Sequence, residues 1–259
     1  MRKTAIFMPL LALLAGAVGY FLRHMELRYV FDEHTGLPLR GSSITIALIV
    51  LSALFFVIIV LFSAKVKAVF LSPDGFENAF GASFLAYPVI FLIAGLSWFG
   101  ATIKYFFEFR IQVTSANAEL YFLLLSALSS ISIIIFAIEV YQNPRRRSKL
   151  ALSVVPVLFM CFWLIMLYRR NAANPILLNY CYSCLAIMAG TLGFYFPAGF
   201  VYKRPAQVKT LVAMLCAVYF NAVTLADVHE TSIKVIIAVV IAINLVHSYM
   251  LIRCLQRKR

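Results

Sequence analysis

Two short stretches concentrate the residues that can do acid–base or metal chemistry. FDEHTGLPL, residues 31–39, sets Asp32, Glu33 and His34 side by side. ADVHETS, residues 226–232, carries Asp227, His229 and Glu230. With His24 and Glu26 nearby, these stretches hold three of the four histidines and five carboxylates. Imidazole and carboxylate suit zinc and other divalent ions. No pair has the His-x-x-x-His spacing that sets two ligands on one helix face. A shared site would need the first and last parts of the chain to be neighbours, so the plainer expectation is a solvated polar surface and no bound metal. FDEHTGLPL also reads as a turn: Asp32 can accept hydrogen bonds from backbone amides just ahead, Gly36 tolerates positive φ, and Pro38 suits an edge. A small hairpin or compact turn is expected there.

A third group is neutral. Ser126, Ser129, Asn179, Ser183, Asn221, Thr224, Asn244 and His247 lie inside long apolar runs. Asn244 and His247, at i,i+3, share a helix face. Ser126, Ser129, Asn179, Ser183, Asn221 and Thr224 fall in one half of the membrane and could line a polar pocket. Interhelical hydrogen bonds account for the same residues and are the favoured reading. CYSC places Cys181 and Cys184 at C-x-x-C spacing. A thiol oxidase passing electrons onward needs a second, exposed pair to exchange with partners, and the loops offer none. Small apolar packing is the better reading of these thiols.

The elements that must position these groups are membrane helices. The chain has 259 residues, of which 63% are hydrophobic and 13% charged, about half the ~25% usual for soluble domains. Eight uncharged or nearly uncharged runs, near 4–22, 43–64, 82–103, 119–140, 150–168, 175–198, 208–227 and 233–253, approach or exceed the ~17–25 residues that cross a bilayer. Lipid offers no partner for a free N–H or C=O, so each run must be helical. The expected fold is an all-α polytopic membrane protein, a single domain of about eight transmembrane helices joined by short loops. The first run and the short one at 210–226 are the weakest of the eight. MRKTAIFMPLLALLAGA also fits a signal peptide cleaved after Ala17, leaving seven spans; the apolar run continues through Leu22, which favours a retained span. Segment 63–81 is expected to form a short interfacial helix broken at Pro73–Gly75.

Small residues four apart are expected to let helix backbones approach: Ala12 and Gly16, Ala15 and Gly19, Ser126 and Ser130, Ala186 and Gly190, Ala189 and Gly193. With eight spans both termini share a side. That side carries fifteen of the 23 Lys and Arg, chiefly in NPRRRSK and the terminal RKR. It is expected to be cytoplasmic, with FDEHTGLPL and ADVHETS outside. The net charge of +13 is explained by this topology, and no nucleic-acid partner is expected.

The matching residues Phe31, Asp32, Thr35, Gly36, Leu37 and Pro38, just after a first span, resemble a loop of uncharacterised multipass membrane proteins from Clostridia and related Firmicutes. The resemblance covers the first two spans and their loop. It implies a bacterial cytoplasmic membrane and carries no activity with it.

No His-Glu-x-x-His, Gly-x-Ser-x-Gly, P-loop or Gly-x-Gly-x-x-Gly is present, and no internal repeat stands out. The leading expectation is a non-enzymatic scaffold, sensor or partner subunit with no cofactor, surrounded by lipid, with another membrane protein as its candidate partner. The alternatives are a small-molecule transporter or receptor using the polar pocket, and a thiol-redox or metal-dependent membrane enzyme.

Overall fold

The computed structural model describes residues 2–31, 37–39, 41–71, 75–80, 85–109, 118–142, 150–174, 176–202 and 204–257. Asp32, Glu33 and His34 lie outside them, as does the basic NPRRRSK stretch. Nine α-helices appear among the described residues: α1 (Arg2–Tyr29), α2 (Ser43–Val69), α3 (Phe76–Phe80), α4 (Ala86–Phe109), α5 (Ala118–Gln142), α6 (Val155–Asn171), α7 (Cys181–Val201), α8 (Gln207–Thr224) and α9 (Thr231–Arg253). Eight of them, all but α3, are long and apolar enough to cross a membrane. The chain is an all-α, multipass integral membrane protein.

At the two extremes hydropathy and burial are opposed. α2 has the highest mean hydropathy, 3.2, and buries little of its surface. α8 has the lowest, 1.3, and is the most buried. The reason is that lipid demands apolar side chains, whereas a helix enclosed by other helices can carry polar ones that find partners. α8 packs against α1, α2, α7 and α9, while α4, α5 and α6 form an arc that closes on α9 and α7. α1 is held to α8 by glycine. A Cβ on Gly16 would stand 2.6 Å from Ala222 Cβ, and one on Gly19 the same distance from Val223 Cγ2. The Ala12/Gly16 and Ala15/Gly19 pattern is therefore a helix-packing face.

Several local expectations are revised. α1 does not stop near Leu22 but runs to Tyr29, two further turns, which draws Arg23 and Glu26 into the bundle. Residues 63–69 belong to α2, and no interfacial helix lies on the surface there. The single turn α3 instead buries Phe76, Ala79 and Phe80, with Phe80 against His247 and Phe200. The anticipated hairpin is represented by a Phe31–Pro38 bridge and a hydrogen bond from Leu39 N–H to Val30 O at 2.8 Å. At the other end, strands β1 (Phe70–Leu71) and β2 (Gln256–Arg257) pair antiparallel, tying the end of α2 to the end of the chain. Of the aromatics at run ends, Phe21, Phe107, Tyr168 and Tyr195 are exposed, as a membrane-interface belt requires, but Tyr105, Phe122 and Tyr182 are buried in the core.

Candidate functional site

Charged side chains gather at the end of the bundle where α1, α4, α6 and α8 finish. The deepest group centres on Arg23, which is fully buried. Its Nε donates to Asp227 Oδ1 at 2.8 Å and its Nη1 to Glu26 Oε2 at 2.7 Å. Nη1 also donates to Leu178 O at 3.1 Å, and Nη2 to Asn179 O at 3.0 Å. Those carbonyls belong to a 3₁₀ turn, Leu177–Asn179, before α7, so the guanidinium fork binds acceptors outside any α-helical ladder. The Tyr182 ring lies beneath, 5.3 Å from Arg23 Cζ, within cation–π reach. Ser183 Oγ donates to the other Asp227 oxygen at 2.8 Å. One guanidinium thus serves two buried carboxylates, and Glu26 Oε1 has no protein partner. Arg23 and Glu26 are i,i+3 on α1, which points both at the same neighbour.

Two further groups stand nearer the rim. Arg170 Nη2 donates to both oxygens of Glu119 at 2.7 and 2.8 Å, and the Tyr105 hydroxyl donates to the same carboxylate. This joins α4, α5 and α6. Glu108, at the end of α4, accepts from the Ser232 hydroxyl and from its amide at 3.4 Å. A carboxylate at the start of α9 complements the positive end of the helix dipole.

Between these groups a cavity of about 290 Å³ opens, lined by Phe122, Trp163, Arg170, Val228, His229 and Glu230 among others. A smaller one of about 20 Å³ shares its Trp163, Leu167 and His229 walls and reaches Ser183, Asn221 and Thr224. That volume has room for a water molecule. Set on either side of these shared walls, the two outline a funnel: aromatic and charged at the mouth, narrow and hydroxyl- and amide-lined at the base. Ser183 belongs to both the base and the Arg23 group. Burial pushes the His229 imidazole below its ordinary 6.5, and Lys234 acts in the same direction. Asp227 and a hydrogen bond to the Thr224 backbone oppose them. His229 Nε2 has no partner.

The anticipated polar pocket is thus partly assembled. Ser183, Asn221 and Thr224 come together, and Asn221 Nδ2 also bonds across to Ala186 O at 3.1 Å. Asn179 contributes its backbone carbonyl to Arg23. Ser126 lies elsewhere, accepting from Trp98 Nε1 at 3.0 Å and contacting Thr102 Oγ1 at 2.7 Å. Ser129 bonds to the Leu125 carbonyl. Asn244 packs where Gly193 leaves room, a Cβ there standing 2.4 Å from its Oδ1. His247 lies among Phe80, Tyr87 and Phe91 beside a separate cavity of about 30 Å³. Asp227, His229 and Glu230 do not converge: Asp227 turns to Arg23, while His229 and Glu230 line the funnel. Among the described residues no three His, Cys, Asp or Glu are grouped to hold a metal. Cys181 and Cys184 are free, half-buried thiols.

The sequence reading missed Arg23 as a site residue and took Glu26 only as a carboxylate near the outer polar stretch. The first uncharged run ends at Leu22, so both residues fell outside the expected span. Their i,i+3 spacing was the available signal. The first and last helices, whose proximity sequence did not reveal, do touch.

No protein-family model, curated protein or solved structure matches the chain.

Proposed function

We propose that this protein binds a small polar solute in the funnel between Trp163 and His229, as a non-enzymatic receptor or transporter of a bacterial cytoplasmic membrane. The carrying observation is the 290 Å³ cavity, whose Trp163, Leu167 and His229 walls are shared with the Ser183–Asn221–Thr224 base. Its size falls just short of the ~300–1,000 Å³ of small-molecule sites, and its make-up, mainly apolar walls with a few convergent polar groups, is typical of them. The mouth carries both Arg170 and Glu230, which favours a solute with groups of both charges. The excess of Lys and Arg near the termini supports a cytoplasmic position for both of them, with the funnel opening outward. The FDEHTGLPL resemblance supports the bacterial membrane.

The test is native mass spectrometry of the full chain released gently from detergent, beside a His229→Ala/Glu230→Gln variant. Both side chains lie outside the Arg23 group, so the fold should survive their loss. A small organic adduct on the parent that the variant loses supports solute binding. A bare polypeptide, or one carrying only a second protein, supports the scaffold or partner-subunit reading instead. A metal adduct would favour a metal-dependent enzyme.

A further inference from the structure

At the opposite end of the bundle a groove of about 540 Å³ separates the last turns of α2 from the start of α8. Lys67 stands on the α2 wall and Lys209 on the α8 wall, both exposed. Among the described residues no acidic side chain lines it. α8 begins at Gln207 behind Pro205 and Ala206, and Ala206 has no side chain able to cap it. The ladder bond from Thr210 N–H to Ala206 O at 2.9 Å marks where the α8 ladder starts. The amides of Gln207, Val208 and Lys209 precede it and have no acceptor within the helix. They carry the positive end of the dipole, a ready-made anion site. Gln207 lines the groove, is only 6% exposed, and its Nε2 has no partner. A buried amide donor without an acceptor costs free energy that an anionic oxygen would recover.

We propose that this groove binds the phosphate of an anionic phospholipid headgroup. A lipid fits better than free phosphate because of α2. Val57, Leu61 and Ala64 follow one another along a single exposed face of that helix, and Ala64 is itself a wall of the groove. A headgroup held by Lys67, Lys209 and the α8 amides would lay its acyl chains down this apolar strip. Basic pockets between helices at a membrane surface recognise anionic headgroups in this way. The site is independent of the funnel at the other end.

The experiment is native mass spectrometry of the full chain in detergent, titrated with phosphatidylglycerol and with phosphatidylcholine of the same acyl chains. Phosphatidylglycerol is expected to bind more tightly. Lys67→Gln and Lys209→Gln should each weaken it about fivefold, and together about 25-fold. Lys65→Gln, whose side chain lines no part of the groove, should leave it unchanged. Because the lysines are exposed, the variants keep the packing of the parent. Equal binding of the two lipids, or a double lysine variant that binds as the parent does, would overturn the proposal. Inorganic phosphate that displaces the lipid would assign the groove to the free anion, and overturn it too.

Discussion

Arg23 and Asp227 meet at 2.8 Å across 204 residues of sequence. The contact fastens the end of α1 to the end of α8, and the same guanidinium reaches back to Glu26 and forward to the turn before α7. Taking two carboxylates and a guanidinium from water is costly, and breaking such a group by removing one member costs more than omitting it altogether. Arg23→Ala should therefore lower stability by about 3–5 kcal/mol, read as a large fall in the thermal midpoint in detergent. Arg23→Lys keeps the charge but lacks the planar fork that serves four acceptors, so it should fall between the two. A normal midpoint for Arg23→Ala would mean the contact holds nothing together.

Packing of α1 on α8 predicts opposite outcomes at two glycines. Gly16→Val puts a branched side chain where even a Cβ meets Ala222 at 2.6 Å, and should cost about 1–3 kcal/mol through overpacking. Gly100 in α4 faces open space, with nothing near its would-be Cβ. Gly100→Ala should be neutral or stabilise by about 0.5–1 kcal/mol, from the lost backbone freedom of glycine. Chemical unfolding of the two variants, side by side in one detergent, decides this.

What could be read from sequence was the material facing lipid. Eight runs without charge gave eight helices, because the bilayer imposes that pattern residue by residue. What faces protein was harder. α8 was one of the two weakest spans by sequence, with its short run, because a helix surrounded by helices is released from the apolar rule. Arg23 was assigned to a loop, since an apolar run marks where lipid contact stops and not where the helix does. Asp227, His229 and Glu230 were grouped by adjacency, yet the chain end of α8 turns them to different neighbours. Ser183, Asn221 and Thr224 were grouped by depth alone, and depth sufficed because α7 and α8 pack closely. Ser126, at similar depth, faces α4 instead, and nothing in the sequence sets that rotation.

Serines on α5 should differ sharply although they look alike in sequence. Ser126 accepts the Trp98 indole N–H and contacts Thr102, all three groups being buried. Among the described residues Ser130 bonds to the Ala127 carbonyl of its own helix and to no other helix. Ser126→Ala leaves a buried donor without its acceptor and should cost about 1–3 kcal/mol. Ser130→Ala removes donor and demand together and should be within about 0.5 kcal/mol of the parent. Unfolding midpoints test the difference, and Trp98 fluorescence should shift in the first variant alone.

His229 gives the funnel a pH dependence. Its folded-state pKa is lowered, chiefly by burial, so the folded protein holds the imidazole neutral where the unfolded chain would already be protonated. Above the unfolded value of 6.5 both states are neutral, and the stabilisation is fully present. As pH falls below 6.5 toward the folded value, the unfolded state binds more protons and stability is lost. The thermal midpoint in detergent should therefore drop as pH falls below 6.5, and less steeply in His229→Asn, which cannot titrate. Carboxylates lose their charge only at lower pH, about 4 for ordinary Asp and Glu, so the histidine component stands apart as the difference between the two curves from just below pH 6.5. Parallel curves for parent and variant over that interval would mean the imidazole is as free in the folded protein as in water, and the funnel wall there is open to solvent.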